Sequence, residues 1–332
     1  MSGRSKERAD LSLGRGRLPD ARCILLGLFL LAGWTGGVHF AGAAETYRFG
    51  VATPGGAWYP IGAVIGRLAD KQYGHKVSLV IGGGAANAVN VGTGKTEFAI
   101  TYSTTVYDAS VGNPPFKERL ANLRVAGTLF RQVLLWTVWA GSDIRNYRDL
   151  KGKRVSVLPR AFSTQFLNVQ VLSALGMSYK DFSRTVFLGL SDSVVQMKDG
   201  HIDAILVQGD AKYAPLVQLM VHKPIRFLSF TDEEIRRIRG VQPAVVPSLF
   251  SKGHYNQPGD VRTVSAYLLI VTHKDVSERL GYQMAKLLYG NVSELSSVNA
   301  NLKTVNPKDA ALDFGIPRHP GLTRYLKETG AP

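Results

Sequence analysis

The sequence predicts a two-lobed α/β protein. Short β-rich runs alternate with stretches of helical apolar spacing, the signature of open sheets flanked by helices. The alternation starts again near residue 154, so there are two such series. The 332 residues, 45% hydrophobic and 20% charged, are enough for about two cores and exclude intrinsic disorder.

The elements follow in order. Residues 48–52 form a buried strand, Gly55-Gly56 turn the chain, and 59–69 carry helical spacing through Ile61, Val64, Ile65 and Leu68. A second strand, 77–81, ends in Gly82-Gly83-Gly84 and is followed by a short helix over 85–91. Residues 98–101 are a third strand, and 123–129 and 133–140 two more. The second series has strands at 154–158, 185–188 and 202–207. Its helices lie at 164–175, closed by Gly176, at 191–198, closed by Gly200, and at 215–220. A long β-rich run over 261–272 and a helix over 278–288 return the chain to the first lobe. The division is 45–139 with 251–332 for lobe I and 140–250 for lobe II, after a leader at 1–44.

That leader combines six basic residues, an apolar run over 23–32 and Ala41-Gly42-Ala43-Ala44, the three parts of a cleavable secretory signal. The run is too short to span a bilayer. Cleavage after Ala43 or Ala44 implies a periplasmic location. Residues 45–332 carry 34 basic and 22 acidic residues, a net charge of +12, and no cysteine. Disulfides and thiolate metal sites are thereby excluded, and burial alone must hold the chain together. The basic residues form no stripe interleaved with aromatics, which argues against nucleic-acid binding and favours attraction of a small anion.

Catalytic patterns fail one by one. Gly92-Thr93-Gly94-Lys95 lacks the earlier glycine of a phosphate loop, since position 89 is Val89, and it reads as a turn. His201 and Asp203 have no third metal ligand nearby in sequence. Asp232-Glu233-Glu234 suits a helix start. With no nucleophile–base pair, the chain is not expected to be an enzyme, and neither cofactor nor metal is expected.

Five segments carry a family resemblance: 53–62 (Thr-Pro-Gly-Gly-Ala-Trp-Tyr-Pro-Ile-Gly), 82–87 (Gly-Gly-Gly-Ala-Ala-Asn), 149–157 (Asp-Leu-Lys-Gly-Lys-Arg-Val-Ser-Val), 198–204 (Lys-Asp-Gly-His-Ile-Asp-Ala) and His319-Pro320-Gly321. In this order the chain resembles the TAXI family of TRAP-transporter solute receptors. The resemblance implies a periplasmic-binding-protein type II-like fold with a ligand cleft between lobes. It also implies a small organic anion as ligand and a TRAP membrane subunit as partner, with a monomeric receptor expected.

The implied site gathers Gly55, Gly56, Trp58, Tyr59, Gly83, Gly84, Asn87, Ser103 and Thr104 from one lobe, and Arg160, Ser163, Thr164 and Gln208 from the other. Amides at the glycine turns would grip a carboxylate at helix starts. Trp58 and Tyr59 would wall the pocket. The chain departs from the family twice. Ser103-Thr104 replaces Ser-Asp, which removes a partner for a ligand ammonium. Residues 159–164 read Pro-Arg-Ala-Phe-Ser-Thr in place of a glycine-rich loop, adding a guanidinium fork at Arg160. The expected ligand is therefore a carboxylate without an amine, carrying an apolar or aromatic portion. Two other readings use the same fold, a receptor feeding a sensor and an enzyme. A neighbouring permease gene or turnover of candidate anions would separate them.

Overall fold

The computed structural model describes residues 44–331, apart from Gly55, Ala161, residues 210–212 and Asn256. Residues 1–43 of the expected secretory signal, Cys23 among them, and Gly55 therefore lie outside the described residues. The chain runs β1 (Thr46–Val51), α1 (Trp58–Tyr73), β2 (Lys76–Ile81), α2 (Gly84–Gly92), β3 (Phe98–Tyr102), α3 (Ser103–Val111) and β4 (Leu123–Trp139). It continues through β5 (Arg154–Val157), α4 (Ser163–Ala174), β6 (Arg184–Phe187), α5 (Leu190–Lys198), β7 (Ala204–Gly209), α6 (Ala214–His222), β8 (Ile225–Phe227), α7 (Asp232–Val241) and β9 (Val246–Phe250). The last part holds β10 (Val261–His273), α8 (Glu278–Gly290), α9 (Val292–Ser296) and α10 (Pro320–Glu328).

The sheet order is β2-β1-β3-β10-β4-β7-β5-β6, with β8 beside β4 and β9 beside β10. β1 pairs parallel with β2 and β3, and β5 pairs parallel with β6 and β7. Two α/β halves thus stand at the ends of the order. The antiparallel pair β4–β10 joins them. This is the two-lobed α/β class expected.

Side-chain alternation builds the layers. Along β4, Leu134, Trp136 and Val138 enter one cluster with Leu167 and Val171 of α4 and Ile235 and Ile238 of α7. Val133 and Leu135, one residue out of phase, enter another with Val194 of α5 and Leu216 of α6. In the first half Phe49 and Ile100 pack under α1 and α8, while Val91 and Ala99 pack with Leu322 of α10 on the opposite side. Each half is a sheet covered on both faces, which is why its strands read as continuous apolar runs.

Three features differ from expectation. Residues 123–129 and 133–140 are parts of one strand, because Arg131 and Gln132 stay paired with Tyr267 and Ala266 of β10. They sit where the strand crosses between the halves. α3 went unrecognised, since its Ser-Thr-Thr-Val start has low helix propensity; Gly112, at φ 80°, closes it. β8, β9 and α10 were also unassigned. α10 is started by His319, which accepts the Gly321 amide while its Nε2 lies 2.9 Å from Val276 O. Burial holds the His319 imidazole below its ordinary pKa.

Candidate functional site

Six helices begin where a parallel strand ends: α1 to α3 after β1 to β3, and α4 to α6 after β5 to β7. None of the six has a side-chain N-cap hydrogen bond. In all but α5, which has Asp192, the first turn contains no acidic residue. Helices elsewhere are treated differently, except that the five-residue α9 also lacks a side-chain cap, though it carries Glu294 in its first turn. Thr231, Ser277 and His319 cap α7, α8 and α10, and α7 and α8 carry acids in their first turns. The unmet first-turn amides and positive dipole ends therefore concentrate at the carboxyl ends of the parallel strands. That edge is also where ligands settle in open α/β sheets.

The two halves meet there. A Cβ placed on Gly84, the first residue of α2, would lie 1.9 Å from Ser163 Oγ, the first residue of α4. Only a glycine permits this approach. Beneath it, Thr101 Oγ1 donates to Gly84 O at 2.9 Å.

On the second half, Thr164 is buried and its hydroxyl donates to Gln208 Oε1. Tyr213 OH donates to Gln208 O at 3.0 Å. Arg160 is exposed, and its guanidinium carbon stands 3.6 Å from the centroid of the Phe187 ring. Tyr179 supports Phe187 edge-on, with centroids 5.8 Å apart. The Tyr179 hydroxyl is fixed in turn by Gln165 Oε1 at 2.5 Å and Asn168 Nδ2 at 3.0 Å. Burial raises the pKa of Tyr179. Arg160 thus stands, exposed, on a braced aromatic ring.

On the first half, Trp58 opens α1, half-buried, edge-on to Tyr102 at 5.4 Å. Tyr59 is also half-buried, against the core under α1. Tyr102 OH donates to Gln132 Oε1 at 2.7 Å, and burial raises its pKa. Several expected ligand groups are committed elsewhere. Gly56 N donates to Thr53 O at 3.0 Å, closing a turn. Gly83, at φ 101°, gives its amide to Val51 O at 3.1 Å and lies 3.3 Å from Asn87 Oδ1. Asn87 is fully buried and donates to Val51 O and Ile100 O, locking β1, β3 and the glycine turn together. Ser103 Oγ donates to Ala244 O and accepts the Tyr267 amide. Thr104 is buried on the first turn of α3. The amides offered at the glycine turn are instead those of Gly84, Ala85 and Ala86, the opening turn of α2.

A second tie crosses the halves. Asp108 of α3 is buried, and its Oδ1 accepts from Gln170 Nε2 of α4 at 2.8 Å and from Gln242 Nε2, just after α7, at 3.1 Å. Asn113 Nδ2 adds a third bond at 3.1 Å. Burial pushes the carboxyl pKa upward despite these donors.

Sequence reasoning missed Phe187, Tyr179, Gln165, Tyr102 and Gln132. Phe187 and Tyr102 are each the last residue of a parallel strand, and that position alone was a usable signal. A separate hollow of about 370 Å³, lined by Glu45, Glu97, His273 and Asp275, has its acids already paired to Arg279, Arg48 and Lys274. Among the described residues no group of three or more His, Cys, Asp or Glu could hold a metal ion. Asp203 binds Arg154 through both carboxylate oxygens, so it is an ion-pair partner rather than a mate for His201. No helix among the described residues is long and apolar enough to cross a membrane.

The model of the NMT1-like family matches residues 49–330, nearly all of the described chain. The chain belongs to the NMT1-like family. Among solved structures, this NMT1-like chain is similar to the periplasmic aliphatic sulphonate binding protein SsuA of Escherichia coli. The two share 18% identity and a TM-score of 0.47, over 86% of this chain and 84% of that one. It is similar to a TctC solute binding protein from Polaromonas at 15% identity and TM-score 0.47, over 86% and 88%. It is also similar to a putative L-cystine ABC transporter protein from Listeria monocytogenes at 14% and 0.45, over 78% and 96%.

Proposed function

We propose that this NMT1-like protein is an extracytoplasmic solute receptor of the TAXI type. It captures a small organic anion by closure of two lobes and delivers it to a TRAP-type membrane transporter. The observation that carries this reading is the set of helix starts without side-chain caps, drawn from both halves at the carboxyl ends of their parallel strands. Such ends attract an anion and give its oxygens backbone donors. Residues 45–332 add a net charge of +12, which steers anions toward the protein.

In this reading lobe I, 45–139 with 251–332, presents the α2 amides from Gly84 onward, with Trp58 and Tyr59 as walls. Lobe II, 140–250, presents Arg160, Ser163, Thr164 and Gln208. A carboxylate or similar oxyanion bridges Arg160 and the opening turns of α2 and α4. Closure excludes water and strengthens each charge-assisted bond. Thr104 supplies no carboxylate, so the site favours an acid lacking an ammonium group. No covalent step is required, and the leader at 1–44 sends the chain to the periplasm.

The test is a thermal-shift screen of amino acids, dicarboxylates, keto acids, sulfonates and aromatic acids. A true ligand at a hundredfold excess over its Kd stabilises the fold by about 2.7 kcal/mol. A shift with amines alone, or with no anion, rejects the reading.

A further inference from the structure

Two large apolar side chains flank the joint between the halves and are exposed. Ile81, the last residue of β2, is 55% exposed, and Phe162, the residue that precedes α4, is 52% exposed. Both are placed by neighbours already fixed. Ile81 alternates in phase with Val77 and Leu79, which pack on the core under α1, so it points to the face on which Trp58 and Tyr59 stand. It lies three residues before Gly84. Phe162 directly precedes Ser163, and its amide donates to Pro159 O at 2.9 Å, which holds the loop carrying Arg160. Since Gly84 and Ser163 touch, chain geometry keeps the Cα atoms of Ile81 and Phe162 within about 20 Å of one another, one on each half. Exposed apolar groups beside unmet amides and a free-edged guanidinium make an amphiphilic mouth.

We infer that the ligand is an organic anion with an apolar tail, its head between Arg160 and the opening turns of α2 and α4, its tail covered by Ile81 and Phe162. This rests on the anion-receptor reading and narrows it. Charge complementarity fixes the head. The tail then lies against the two side chains that would otherwise stay in water. A small polar acid would use the head contacts alone and leave both side chains exposed.

The test is calorimetry of the purified protein with straight-chain carboxylates from acetate to octanoate, and with sulfonates of matching length. Burying each methylene is expected to tighten binding about fourfold until the tail outgrows the apolar patch. The double variant Ile81→Ala, Phe162→Ala is expected to flatten that dependence while short acids bind as before. Both side chains are exposed, so its unliganded melting temperature should match the parent and serves as the folding control. Short acids that bind with no gain from length overturn the tail and leave the anion site standing. A length dependence that survives in the double variant overturns the assignment to Ile81 and Phe162. Failure of every acid in this series and of the dicarboxylates overturns the anion reading itself.

Discussion

The Arg160 guanidinium stands 3.6 Å from the centroid of the Phe187 ring; Arg160 lies in the loop leaving β5, and Phe187 ends the neighbouring parallel strand β6. Val157 and Phe187 are register partners, so the loop leaving β5 passes directly over the end of β6. The ring covers one face of the guanidinium and leaves its in-plane donors for an oxyanion.

Arg160→Ala should therefore weaken anion binding by about 1.5–3 kcal/mol, the scale of a hydrogen bond to a charged group. Phe187→Leu should weaken it less, because the charge remains and only its orientation is lost. Calorimetry on both variants checks this, and unchanged affinity in Arg160→Ala removes that residue from the site.

Gly84→Ala should separate the halves. The new methyl would meet Ser163 Oγ at 1.9 Å, with Ser163 Cβ behind it at 3.2 Å. Ligand affinity should fall by at least tenfold. Adding Ser163→Ala removes the nearest atom and should restore part of the loss. Additive losses in this double-mutant cycle would mean the two residues do not meet in solution.

Asn87→Ala should destabilise the fold by about 2–4 kcal/mol, since losing this fully buried amide takes a donor from Ile100 O, removes one of the three donors to Val51 O, and opens a cavity. Urea unfolding measures this. A change below about 0.5 kcal/mol would contradict the latch.

Asp108 gives a pH signature of definite sign. Its native pKa is raised, mainly by burial, so the folded state binds this proton more tightly than the unfolded chain. Its contribution to stability is smallest at neutral pH and grows as pH falls through the raised native value. It levels off below the unfolded value of about 3.9. Relative to Asp108→Asn, the parent should gain in melting temperature as pH drops from 7 toward 4. A difference that is flat with pH rejects this account.

Much of the fold could be read from residue patterns. Val77 to Ile81 and residues 98–101 are apolar runs bounded by turn residues, and both are strands. Gly176 and Gly200 end helices at φ 69° and 74°. What escaped depended on tertiary context. Arg131 and Gln132 are polar in mid-strand because the crossing strand leaves the core there. The candidate site was legible as a region: Gly84, Arg160, Ser163, Thr164 and Gln208 all lie at strand ends, helix starts or the loop between them. Asn87 and Ser103 occupy the same region but are turned inward, and a motif cannot tell an amide that faces a ligand from one that ties two strands. The Arg160–Phe187 contact joins a residue of the loop after β5 to the last residue of β6, a pairing that no local pattern records.

β4 and β10 cross between the halves as paired backbone, with register shifts between Tyr267 and Leu269 and between Ile270 and Val271. Such a ribbon resists stretching but yields to torsion, most readily where its ladder is already interrupted. In the proposed closure, these residues are where one half would swivel against the other. Tyr267, which gives its amide to Ser103 beside one of these shifts, would then tie any such turn to the start of α3.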